Sequence, residues 1–144
     1  MNIKGRTLLY LAVISAVTVS AADTPTDLKA IMQDLQTDTQ KVTAGLLVDD
    51  LAAVAAAAAS IADHPRIPPE QVTLVAAELG TEMPAFKQFD MQVHELSLSI
   101  ASAARDGDRA RAITDFHRML NGCLDCHAAY RTRVSEALSA GTTD

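Results

Sequence analysis

The sequence has no tryptophan, and its two tyrosines and three phenylalanines bring aromatic content to only 3% of 144 residues. A core made from this chain must lean on aliphatic side chains and alanine, which fills residues 55–59. Small side chains let helices approach closely. They also bury little area each, at about 25 cal/mol per Å². Alternating apolar and polar residues over a useful length are missing too, which argues against a sheet-based fold. No internal repeat, linker or second hydrophobic unit is visible, and 144 residues suit one domain better than two. Long apolar runs are absent: the stretch at residues 7–19 is shorter than the roughly 20 residues a membrane span needs.

That short run has a meaning of its own. Lys4 and Arg6 precede it, and the small residues Ser20, Ala21 and Ala22 follow. Basic, apolar and small segments in this order make a secretory signal peptide, with an uncleaved anchor as the alternative. Cleavage after Ala21 or Ala22 is expected, giving a signal peptide over 1–22 and one folded domain over 23–144. The chain is then exported and free of the membrane. The signal carries two of the twelve basic residues and none of the eighteen acidic ones, so the mature charge falls from −6 to −8. An acidic surface argues against nucleic acid and anionic membranes, and leaves room for a basic docking partner.

Beyond the signal the periodicity is helical throughout. Thr26 or Asp27 is placed to cap a first helix bearing Leu28, Ile31, Met32, Leu35, Val42 and Leu46. Asp49 or Asp50 caps a second, which His64-Pro65 and Pro68-Pro69 end. A short amphipathic turn over 70–79 closes at Gly80. Thr81 opens a third long helix, with Pro84 tolerated in its first turn and Phe86, Phe89, Val93, Leu96, Ile100 and Ala104 as its core stripe. Asp106-Gly107 ends it, and Asp108 caps a fourth that runs to about Leu138. The expected fold is all-α: an antiparallel four-helix bundle with a short extra helical segment between helices 2 and 3.

The chemistry lies in Cys123-Leu124-Asp125-Cys126-His127. Two cysteines three apart, followed at once by histidine, form the attachment signature of c-type haem. Each thiol adds to a haem vinyl group as a thioether, and the adjacent imidazole reaches the iron. At about 100° per residue, Cys123, Cys126 and His127 share an arc of about 100°. Phe116, Met119, Leu120, Tyr130 and Val134 lie on the same side. One large apolar prosthetic group would also make good the lean core. Three other readings of the cysteine pair stay open. A thioredoxin-like redox pair belongs in a βαβ setting. A structural zinc site needs four ligands. A plain disulfide suits an oxidising compartment.

The stretch Phe89-Asp90, Ala103-Ala104-Arg105-Asp106-Gly107-Asp108 and Cys123-x-x-Cys126-His127-x-x-Tyr130-Arg131 resembles cytochrome c′ and its low-spin relatives, the cytochromes c556. It is similar in bundle pattern to cytochrome b562, which lacks the cysteines. Only 17 residues follow His127, the placement found in that family. The resemblance implies one covalently attached haem c wedged between the first, third and fourth helices. It also implies a periplasmic location and frequent homodimers. Where a sixth ligand exists in the family it is a methionine early in the first helix, the place of Met32. Arg131 is implied to lie near a haem propionate, and Phe86, Phe89, Phe116 and Tyr130 to pack on the ring. All four aromatics would serve equally as ordinary core, and Met32 as an ordinary gap-filling methionine.

Two functions follow from these residues. With His127 and Met32 both on iron, the protein is a one-electron carrier working with redox partner proteins. With Met32 in the core instead, the iron is five-coordinate and binds nitric oxide or carbon monoxide. A catalytic role finds no placed acid–base group beyond His94, a weak candidate, which also shares a semi-apolar face with Met91 and Leu98. That face is expected to meet the 65–79 segment or another subunit. His64 is expected to be a solvated helix end and His117 to be exposed. A haem site bounded by Met32, Phe86, Phe89, Cys123 and His127 is expected.

Overall fold

The computed structural model describes residues 27–141, and the signal-peptide reading of 1–22 lies outside them. Every regular element among the described residues is helical: α1 (Leu28–Leu47), α2 (Leu51–Ala62), α3 (Pro69–Leu79), α4 (Met83–Arg105) and α5 (Arg109–Ala140). A single 3-10 turn, Gly80–Glu82, precedes α4. No described helix is long and apolar enough to cross a membrane.

Three helices start on aspartate caps. The side chains of Asp27, Asp50 and Asp108 accept from the backbone N–H of Ala30, Ala53 and Arg111 at 2.6, 2.9 and 3.0 Å. Each satisfies a donor that the first helical turn leaves without a partner. The short extra helical segment expected over 70–79 is an eleven-residue helix, α3. Pro69 sits in its first turn, where a missing N–H costs nothing, so the proline pair that ends the preceding segment also starts this one. Gly80 closes α3 at a φ of 50°, a backbone setting that favours glycine, and α4 begins at Met83 rather than Thr81.

The helices form a bundle in which α1 packs on α2, α2 on α4, α4 on α5, and α3 on α5. Gly45 makes the first contact close: a Cβ there would stand 2.8 Å from Val54 Cγ2 and 3.0 Å from the Asp50 carbonyl. Between α4 and α5, Phe86 meets Tyr130, Gln92 lies beside Gly122, Ser97 reaches Met119, and Ser99 reaches Asp115. At the other edge Gln71 of α3 accepts the Leu28 N–H at 2.8 Å, tying the start of α1 to α3. Arg133 of α5 is clamped by Glu78 and Glu82 at 3.0 and 2.8 Å, which docks α3 and the turn after it.

The core divides in two. The larger cluster holds Val42, Val54, Ala58, Ile61, Leu96, Ile100, Phe116 and Met119, with Leu35 and Val93 packed against it. The smaller holds Leu28, Val75, Leu79, Tyr130 and Val134, with Met83, Phe86, Phe89 and Cys126 against it. On α1 the division falls between Leu28 and Leu35, on α4 between Phe89 and Val93, and on α5 between Leu120 and Cys126. Met32 and Cys123 lie within those intervals. The closely packed helix pairs do not include α1 with α5, although Leu28 of α1 belongs to the same core cluster as Tyr130 and Val134 of α5.

Candidate functional site

Cys123, Cys126 and His127 lie mid-way along α5, on uninterrupted helix. The inward side of that helix is as its periodicity predicts. Phe116, Met119, Tyr130 and Val134 are buried, and Leu120, Cys123 and Cys126 are partly so. His127 falls at the edge of this arc and is exposed. It lines a groove of about 750 Å³ together with Ala128, Arg131, Thr132, Ser135 and Glu136. Among the described residues no side chain engages the His127 ring in a hydrogen bond or ion pair. The Arg131 guanidinium, in the same groove, likewise has no acidic partner among them, whereas Arg133 is held by two glutamates.

Both thiols are free. Burial pushes both above the usual thiol range. Cys126 rises to about 11, with the neighbouring Cys123 and the Asp90 carboxylate adding to the loss of solvation. For Cys123 the raising effect of burial is partly offset by a backbone hydrogen bond. At neutral pH the pair is therefore two neutral thiols. Tyr130, one turn after Cys126, receives both aromatic residues of α4. Phe86 meets it edge-on at 5.7 Å between ring centroids and Phe89 at 6.2 Å. Phe86, Phe89, Tyr130 and Cys126 thus belong to one apolar wall. Phe116, the fourth expected ring-packing residue, is buried in the larger cluster two turns earlier.

The groove differs from the expected haem site: of Met32, Phe86, Phe89, Cys123 and His127, only His127 lines it. The aromatic pair packs on Tyr130 and closes that side, so the open space lies along the flank of α5. Met32 is 40% exposed, one turn after buried Leu28 and next to Ile31, which is 1% exposed. It stands on the outer edge of the α1 stripe. Of the other methionines, Met119 is fully buried and accepts the Ser97 hydroxyl at 3.2 Å, Met91 is 59% exposed, and Met83 packs against the smaller cluster with Phe86, Phe89 and Cys126.

The donor set suits covalently attached haem. Two thiols and an imidazole share one helical side, at the level where the core divides and where α1 and α5 are not closely packed. No group of three His, Cys, Asp or Glu side chains suited to a metal ion occurs among the described residues, so the zinc alternative finds no further ligands there. No family model, curated protein or solved structure matches this chain.

His64 departs from its expected place. His64 has an 18% exposed side chain and faces Asp90, rather than forming a solvated terminus. His94 bonds the Ala62 carbonyl at the end of α2, leaving Met91 and Leu98 of its face exposed. The signal available was the shared spacing of Asp90, Met91, His94 and Glu95 on α4. What brings His64 to them is the crossing of α2 over α4, which no local pattern encodes.

Proposed function

We propose that this chain is a c-type cytochrome: an exported one-electron carrier with one haem c attached through Cys123 and Cys126 and ligated by His127. The observation that carries the reading is Cys123-x-x-Cys126-His127 on one continuous helix, at the division of the core and beside the groove lined by His127 and Arg131. When bound, haem supplies an iron that takes up and gives back one electron. Cys123 and Cys126 would hold it through thioether bonds, and the His127 imidazole and the Met32 thioether would bind its iron, a pair of ligands that raises the reduction potential relative to other choices. Arg131 pairs with a propionate, as guanidinium and carboxylate do well. Phe86, Phe89 and Tyr130 keep water from the ring on the α4 side.

The bundle we infer is antiparallel, of four long helices with α3 as the extra segment. The contacts between α4 and α5 favour it, since the α5 partners descend from 130 to 115 as the α4 residues ascend from 86 to 99. The acidic mature surface steers basic redox partner proteins.

A second reading is favoured by the 40% exposure of Met32 and its place outside the groove. If Met32 stays off the iron, the protein is five-coordinate and binds nitric oxide or carbon monoxide. Optical spectra of the purified protein with and without carbon monoxide decide between them. An unchanged low-spin spectrum supports the carrier. Ready formation of a carbonyl complex supports the gas binder.

A further inference from the structure

Helix α3 contributes no residue to the larger core cluster. Its main packing is on α5, with lesser contact to α4 and the 3-10 turn, and neither α1 nor α2 is among its closely packed partners. Of its eleven residues, Val75 and Leu79 are the buried ones. Both belong to the smaller cluster with Leu28, Tyr130 and Val134, against which Phe86, Phe89 and Cys126 pack. The larger cluster would therefore stay closed if α3 left its place, and the smaller one would open.

Both ends of α3 can turn. Residues 64–68 ahead of it are non-helical. Behind it Gly80 stands at a φ of 50°, and a Cβ there would meet nothing within 4 Å. The turn thus depends on the backbone freedom of glycine and not on a tight fit. What holds α3 down, besides its two apolar anchors, is polar and near water. Arg133 of α5 donates to the carboxylates of Glu78 and Glu82 at 3.0 and 2.8 Å, and to the Glu78 carbonyl at 3.3 Å. These three side chains are between 38% and 49% exposed, so salt screens the pairs and each is weak alone. Near the start of α3, Gln71 accepts the Leu28 N–H at 2.8 Å. Few buried apolar contacts and exposed ties mark a segment that opens before the whole chain unfolds.

We propose that α3 is a hinged cover. It swings off α5 about residues 64–68 and Gly80 while α1, α2, α4 and α5 stay packed. Opening uncovers Tyr130, Val134 and the Cys126 side of α5, and admits a planar apolar guest to that thiol. Closing returns Val75 and Leu79 to the smaller cluster and Arg133 to its two glutamates. The identity of the guest rests on the haem reading. The hinged opening does not.

Native-state hydrogen exchange of the full mature chain, read by mass spectrometry, tests the opening whether or not haem is attached. Amides of α3 are expected to exchange about tenfold faster, or more, than those of α2 and α4. Arg133→Gln removes the clamp, and Gly80→Ala strains the closed turn. Each is expected to speed α3 exchange about threefold or more and to leave α2 and α4 unchanged. Sodium chloride at about 0.5 M speeds it in the parent but not in Arg133→Gln. Exchange of α3 in step with α2 and α4, or variants that leave it unchanged, overturns the hinged cover and leaves the haem reading intact.

Admission of the guest is read from the uptake of hemin by haem-free chain, followed by its Soret absorption. Arg133→Gln is expected to take up hemin about threefold faster than the parent. Lys41→Gln, which loses the same charge and an ion pair with Asp38 on α1, matches the parent. Equal rates in Arg133→Gln and the parent overturn gating by α3. Hemin held by none of these chains overturns admission together with the haem reading, and the exchange rates still decide the opening.

Discussion

Phe86 stands edge-on to Tyr130, with ring centroids 5.7 Å apart and planes at 84°. This contact joins α4 to α5 one turn beyond Cys126 and anchors the smaller core cluster, in a chain with only five aromatic residues. Edge-to-face pairs contribute about 0.5–1.5 kcal/mol beyond their buried area. Tyr130→Leu keeps most of the buried volume and removes two such contacts, with Phe86 and with Phe89. It is expected to lower the unfolding free energy by about 1–3 kcal/mol in urea denaturation. A loss below experimental error shows that the aromatic wall is not what closes this side.

Met32 decides between the two functions. In haem-bearing protein, Met32→Ala is expected to turn a low-spin spectrum indifferent to carbon monoxide into one that shifts readily on its addition. If the parent already forms the carbonyl complex and Met32→Ala changes nothing, the electron-carrier reading gives way to the gas binder.

The thiols give a pH dependence with a definite sign. In haem-free chain, Cys126 titrates at about 11 when folded and at the ordinary 9.0 when solvated. The folded state therefore holds its proton more tightly. The stability associated with this group is fully present below about pH 9 and is lost as pH rises towards 11. Alkylation by iodoacetamide is expected to stay slow at pH 8 and to accelerate up to about pH 11. Fast reaction at pH 8 contradicts the burial of this pair.

Gly45 tests the packing of α1 on α2. A methyl group there meets Val54 Cγ2 at 2.8 Å and the Asp50 carbonyl at 3.0 Å, and backbone cannot yield as a side-chain end can. Although alanine is the better helix former, Gly45→Ala is expected to destabilise by about 1–3 kcal/mol through overpacking. Thermal unfolding measures it, and an unchanged or higher midpoint contradicts the close approach.

What the sequence made legible were features written locally. The aspartate caps, the proline and glycine stops, and the inward side of α5 around Cys123 and Cys126 each depend on residues within a few positions of one another. The features it hid depend on how helices cross. Glu78 and Glu82 are spaced to share one partner, but nothing local names it as Arg133, 55 and 51 residues away respectively. The cleft of His64 and His94 follows from where the chain leaves α2. The start of α3 lies one residue earlier than the spacing implies, because Pro69 is its first residue as well as part of the preceding stop.

The covalent bond to haem is tested most directly by mass. The mature chain, produced in a host that attaches c-type haem, should be coloured and heavier than the bare polypeptide by one haem that denaturant does not remove. Cys123→Ser with Cys126→Ser should abolish both. A colourless product at the polypeptide mass, its cysteines free or joined to each other, contradicts the account.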